Sequence, residues 1–228
     1  MRAVTTWTAP LPDGTQREEA ALVFDKGREH RLLVIPPLFD EANKFRHQLV
    51  EIMRRLDLSG IDSVLPDLPG MGDSLVPHIE VTLEGLRKAA QAACEDFSIT
   101  HCFCVRNGAM YAPSSLPGWR YAPIAGRNSL RSLLRARTLA AQERGESETT
   151  ADLEAQGKAS GLVAGGWHIG PELFAALGAE KLPHTPQMVD IDHETVGGSP
   201  LWLRAEPDED PEQADALAAI MAIGLLGT

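Results

Sequence analysis

The sequence predicts an α/β fold: a mainly parallel sheet flanked by helices, with a helical cap inserted late in the chain. Three observations carry this. Short apolar runs without polar alternation, such as Leu32-Leu33-Val34-Ile35, suit strands buried on both faces. Stretches with apolar spacings of three and four separate those runs, and strands alternating with helices imply right-handed crossovers and a parallel sheet. Residues 127–181 then break the alternation with a helical, polar stretch. At 228 residues and 43% apolar content, the chain can form a real core and carry an insertion. The expected division is a core over 1–126 and 184–228 and a cap over 127–183.

The elements follow in order. Residues 20–25 (Ala-Ala-Leu-Val-Phe-Asp) read as the first strand and 31–35 as the second, stopped by Pro36-Pro37. Phe45, Leu49, Ile52, Met53 and Leu56 share one helical face within 43–58, and Gly60 ends that helix. Ser63–Leu65 is the next strand. Thr82 is placed to cap a helix over 82–96. A strand at Ile99–Val105 comes next, then a break at Arg106-Asn107-Gly108 and an Ala/Met/Tyr stretch that opens like a helix. Residues 119–125 read as a further strand. The middle third shows no strand signal, and its Gly/Ser/Glu-rich part, 145–160, is expected to be the least ordered. Gln187–Asp192 and Pro200–Arg204 are the expected last strands. Acidic residues Glu206, Asp208, Glu209 and Asp210 lead into a final helix from Pro211, where they suit the helix dipole.

Charge and composition exclude several classes. The balance of 21 basic against 32 acidic residues, a net −11, argues against a nucleic-acid partner and against an anionic membrane surface. No apolar window reaches membrane-spanning length. The opening MRAVTTWTAPLPDG has no signal-peptide stretch, which predicts a cytoplasmic chain. Three cysteines without a CxxC pair predict neither a disulfide framework nor a zinc site. No histidine pair has H-x-x-x-H spacing, so neither metal nor cofactor is expected.

Asp67-Leu68-Pro69-Gly70-Met71-Gly72-Asp73-Ser74 directly follows a strand. It does not lead straight into a helix, unlike a dinucleotide loop. This D-x-x-G-x-G-x-S run resembles the loop after the fourth strand in the α/β-hydrolase superfamily, where it is mainly structural. The superfamily's nucleophile elbow reads G-x-S-x-G between strand and helix. The matching window here is Cys104-Val105-Arg106-Asn107-Gly108. The second glycine is kept, Cys104 replaces the first, and Arg106 stands at the serine position. A guanidinium stays protonated and is no acyl-transfer nucleophile. The superfamily also supplies a base histidine after its last strand. Leu201-Trp202 stand there instead, and His193 is the nearest alternative. His168 and His184 read as structural, and the other histidines come too early. Cys102 and Cys104 share one strand face and read as buried small hydrophobes. Ser114 and Ser115 have no evident base. No catalytic residue is assigned.

Further segments narrow the resemblance: residues 36–44 (PPLFDEANK), the Arg-x-Gly-Ala elbow at 106–109, 126–135 (GRNSLRSLLR), Gly165-Gly166-Trp167-His168-Ile169, and Gly198-Ser199-Pro200-Leu201-Trp202. Together they look like the exosortase A system-associated hydrolase-like proteins of bacteria, over roughly residues 20–220. The resemblance implies the α/β-hydrolase fold, a setting near exopolysaccharide and protein-sorting loci, and Arg at the elbow of related members. It implies no proven reaction.

Two functional expectations follow. The first is a degenerate, non-catalytic hydrolase fold that binds a small anionic ligand or a protein partner. The alternative is an acyl or ester hydrolase with relocated chemistry. For the first, Arg106, Asn107, Gly108, Phe39 and Glu41 are the candidate ligand-binding residues. They lie where open α/β sheets bind ligands, with a helix N-terminus expected beside them. A guanidinium there grips a carboxylate or phosphate through two hydrogen bonds. An internal ion pair of Arg106 with Glu41 or Asp73 is the competing arrangement. Arg127, Arg131 and Arg135 repeat at spacing four, with Arg137 nearby. Their face is either solvated, with the acidic 206–215 stretch as an internal counterpart, or a rim that attracts an anion. Trp119, Trp167, Trp202 and Phe174 are expected in core or cap packing.

Overall fold

The computed structural model describes residues 2–227. It opens with a hairpin, β1 (Arg2–Pro10) and β2 (Gln16–Phe24), whose turn holds Pro12-Asp13-Gly14 with Gly14 at φ 84°. β3 (Arg31–Ile35), α1 (Asp40–Leu58) and β4 (Asp62–Pro66) follow. After a 3₁₀ turn at His78–Glu80 come α2 (Leu83–Asp96) and β5 (His101–Val105). The Thr82 side chain caps α2 by accepting from the Gly85 N–H at 2.9 Å. β6 (Gly118–Tyr121) precedes the segment that the sequence predicts as a cap. That segment holds α3 (Gly126–Glu143), α4 (Thr150–Ser160), β7 (Leu162–Ala164), β8 (Trp167–Ile169) and α5 (Pro171–Ala179). β9 (Met188–Ile191), α6 (His193–Val196) and α7 (Pro211–Leu226) complete the chain.

Seven strands form one sheet in the order β1-β2-β4-β3-β5-β6-β9. β1, β2 and β4 pair antiparallel; every pairing from β4 through β9 is parallel. This is the α/β class the sequence predicts. The strand alternation divides the core in two. Leu33, Ile35, Cys102 and Cys104 face α2 and the cap, while Leu32, Val34, Phe103 and Val105 face α1 and α7. Among the described residues no helix is long and apolar enough to cross a membrane.

Four expectations are corrected. Residues 200–204 are no strand: Leu201–Leu203 is a 3₁₀ turn. Gly197 and Gly198, at φ 78° and 75°, turn the chain before Pro200 and carry it off the sheet edge. Residues 145–160 are not loose. Thr149 caps α4 through the Asp152 N–H at 3.2 Å, and Leu153 and Gly157 are buried. The Phe174 ring lies so close to Gly157 that a Cβ there would sit 2.5 Å from it, so packing on α5 holds this polar helix. The cap also contains strands. Gly165-Gly166, both at positive φ, make the two-residue turn that pairs β7 with β8. Finally, no long helix follows β5. The twelve residues 106–117 hold only the 3₁₀ turn Arg106–Met110, and Pro113 prevents a longer helix.

Candidate functional site

The end of β5 keeps an elbow. Arg106 sits at φ 54°, a left-handed conformation that costs a non-glycine residue about 1 kcal/mol and marks the sharp turn of a nucleophile elbow. Gly108 lets this turn press against the end of β3: a Cβ there would lie 2.6 Å from the Pro36 carbonyl oxygen and 3.0 Å from that of Ile35. The buried Asn107 side chain stitches three segments together. Its Oδ1 accepts from the Leu38 N–H at 2.7 Å, and its Nδ2 donates to Ser129 Oγ of α3 at 2.7 Å. Tyr111 Oη donates to the Pro36 carbonyl. The helix expected behind the elbow is a five-residue 3₁₀ turn, which supplies no helix dipole to an anion.

The Arg106 guanidinium is enclosed. Nε donates to Glu41 Oε2 at 3.0 Å, Nη2 to Glu41 Oε1 at 3.4 Å, and Nη1 to the Ala122 carbonyl at 3.2 Å. The Trp202 ring covers it, with Cζ 4.1 Å from the ring centroid. The two charged side chains are 12% and 22% exposed. Glu41, in the first turn of α1, is therefore the carboxylate that Arg106 grips. Trp202 stacks on Phe45 and meets Tyr121 and His193 edge-on. His193 has both ring nitrogens engaged, Nδ1 at 2.7 Å from Tyr121 Oη and Nε2 at 3.2 Å from the Gly198 carbonyl oxygen. Burial pushes the Tyr121 phenol up, and the nearby Arg106 charge opposes this in part. Phe39, at φ 63°, is buried and packs against His78 and Trp167.

Asp73 lies elsewhere. The Gly-rich run closes on itself: Asp67 accepts from the Asp73 N–H at 3.3 Å and from Arg46 Nη1 at 2.9 Å. Ser74 Oγ accepts from the Gly70 N–H and donates to Glu19. The acidic 206–215 stretch does not face α3 either. Asp208 and Asp210 meet Arg204, Asp215 meets Arg55, and Glu209 meets His47. Arg137 pairs with Glu148, whereas Arg127, Arg131 and Arg135 have no ion pair among the described residues.

Burial disfavours the charged forms of Cys102, Cys104 and His78. Burial pushes the Cys104 thiol up to about 12, and contact with Cys94 together with burial raises Cys102. His78 Nδ1 lies 3.0 Å from the His168 carbonyl oxygen, and burial holds this imidazole below its usual value. Side-chain atoms of His47, Glu51 and Glu209 lie within 4.8 Å of one another, close enough to share a cation, but Arg54 and Arg55 already hold Glu51.

No family model matches the chain, and no curated protein does. Solved structures resemble it as folds. One is an α/β serine hydrolase without a lid from Xanthomonas campestris, 18% identical, covering 54% of this chain and 63% of its own length at TM-score 0.41. The chain thus spans less than two thirds of that protein. Another is a protein of Agrobacterium vitis S4 named as a hydrolase, 14% identical, covering 100% of this chain and 98% of its own at TM-score 0.49. An epoxide hydrolase from Mycobacterium thermoresistibile is 13% identical over 58% of this chain and 45% of its own, at TM-score 0.40. The fold is α/β-hydrolase-like, as the strand order and the strained elbow show in this molecule itself.

Proposed function

We propose that this chain is an α/β-hydrolase-fold protein whose elbow has become structural, a binding protein rather than an acyl hydrolase. One observation carries the reading. Arg106, at the nucleophile position, is held by Glu41, by the Ala122 carbonyl and by the ring of Trp202. His193, the histidine that follows the last strand, has both ring nitrogens taken by Tyr121 Oη and the Gly198 carbonyl. Donors for an oxyanion are also few. In this fold the loop after β3 supplies one N–H; here Pro36 and Pro37 have none, and the Leu38 N–H is spent on Asn107. An external carboxylate or phosphate at Arg106, Asn107, Gly108, Phe39 and Glu41 would have to displace Glu41 first. The alternative, an ester hydrolase with relocated residues, finds no support in the hydrogen bonds: among the described residues no histidine nitrogen bonds a serine or cysteine. The bacterial exopolysaccharide setting rests on the sequence resemblance alone.

The test is labelling with a fluorophosphonate probe beside a panel of activated esters and thioesters, with Arg106→Ala as control. The expected result is no labelled serine and turnover at background for both proteins. Stoichiometric labelling traced to a serine, or turnover well above background, overturns the reading and restores the hydrolase.

A further inference from the structure

The cap carries a second feature, separate from the elbow. α3, α4 and α5 enclose a cleft of about 550 Å³, within the range of small-molecule sites and far too small for a folded partner. Its floor is apolar, formed by Leu130, Leu134 and Phe174. Its rim is cationic, with Arg127 and Arg131 from α3 and Lys158 from α4, against the single carboxylate of Glu154. None of these four charged groups has an ion-pair partner among the described residues, although Arg137 on the same helix and Arg28, Arg55, Arg106 and Arg120 elsewhere are all paired.

The placement of the arginines works against stability. Arg127, Arg131 and Arg135 sit at i, i+4 and i+8 on α3, where like charges repel. Arg127 lies in the first turn, where the helix dipole disfavours a cation and no acidic residue offsets it. In a chain of net charge −11, carboxylates for pairing are abundant, yet Glu154 alone lines this cleft and it pairs with none of these arginines among the described residues. On the facing wall, α5 presents Ala175, Gly178 and Ala179. A Cβ at Gly178 would meet only Leu130 Cδ1, at 3.8 Å, an ordinary contact, so a side chain can start there without displacing a neighbour.

We propose that this cleft binds a small anionic amphiphile, a carboxylate or phosphate monoester carrying a short apolar chain. The head group takes charge-assisted hydrogen bonds from Arg127 and Arg131, and the chain lies over Leu130, Leu134 and Phe174. The proposal stands whether or not the elbow is catalytic.

Calorimetric titration of the full chain with octanoate, octyl phosphate, inorganic phosphate and octanol tests it. The expected result is saturable one-to-one binding of octanoate, octyl phosphate or both, the stronger arm naming the head group. Affinity is expected to fall about tenfold or more in the Arg127→Ala/Arg131→Ala double variant, and likewise in Gly178→Leu, which fills the cleft while leaving the arginines in place. Gly178→Leu exchanges a helix glycine for a better helix former, and its melting curve reads folding separately from binding. Absence of saturable binding for both amphiphiles overturns the proposal, as does affinity unchanged in both variants. Octanol binding as tightly as octanoate would make the arginines idle, and inorganic phosphate binding as tightly as octyl phosphate would make the apolar floor idle; either result also overturns it.

Discussion

Arg106 and Glu41 show what a single ion pair does at a strained turn. Removing one partner of a buried pair costs roughly 3–5 kcal/mol, and the partial exposure of Glu41 lowers the expectation for Glu41→Gln to about 2 kcal/mol. Urea unfolding measures it. The double variant Glu41→Gln/Arg106→Met removes both charges and is expected to recover most of the loss, because an apolar side chain under Trp202 replaces the guanidinium at little cost. A single variant as stable as wild type would mean that the pair does not hold the elbow. The thiols give a second check at this scale. Cys102 and Cys104 are fully buried, with raised pKa values. A disulfide reagent at about pH 8 is expected to leave both untouched in the native protein, and all three free cysteines should react after unfolding. Rapid native modification of Cys104 would contradict the packing described for β5.

At the scale of elements, the elbow depends on close approach of the turn after β5 to the end of β3. Gly108→Ala places a Cβ 2.6 Å from a backbone carbonyl oxygen, which cannot swing aside as a flexible side chain does. Overpacking of this kind costs typically about 1–3 kcal/mol. Gly166→Ala gives the contrast, since a Cβ there meets nothing within 4 Å and only the positive φ of the hairpin turn opposes it. Thermal unfolding of the two variants should place Gly108→Ala clearly lower. Equal melting temperatures would argue that the elbow is free to move away from β3.

Across the whole molecule, His78 joins the loop after β4 to the β7–β8 hairpin. It follows the loop after β4, bonds the His168 carbonyl of β8, and is packed between Phe39 and Trp167. Its folded pKa lies below the unfolded value of about 6.5 because burial penalises the charged ring. The native state thus binds fewer protons than the unfolded chain. The contribution to stability is complete above the unfolded pKa and is lost as pH falls through that value toward the folded one. His101, lowered by burial and by the neighbouring His30, acts in the same direction. Melting temperatures are therefore expected to fall from about pH 7.5 to about pH 5.5, with a shallower fall in His78→Phe. An identical slope in the variant would remove His78 from the account.

The class of fold and the arginine at the turn after β5 are legible in the sequence alone. Unbroken apolar runs such as 32–35 are legible because strands buried on both faces need no alternation. The likeness of Cys104–Gly108 to an elbow window with Arg106 at its centre is legible because the flanking strand and Gly108 set the register of the comparison. Two further turn signals mark hairpins: Pro12-Asp13-Gly14 before β2, and Gly165-Gly166 between β7 and β8. Composition could not reveal α4, whose polar surface is held by one buried leucine and by a glycine under the Phe174 ring. It could not show that 201–203 leaves the sheet and lays Trp202 over Arg106, nor choose between Glu41 and Asp73 as the partner of that arginine. Those choices join residues about 65 and 96 positions apart in the chain, and local propensity carries no information about which distant side chains meet. Only the closing of α1, the elbow and the late 3₁₀ turn around one guanidinium settled which charge Arg106 would face.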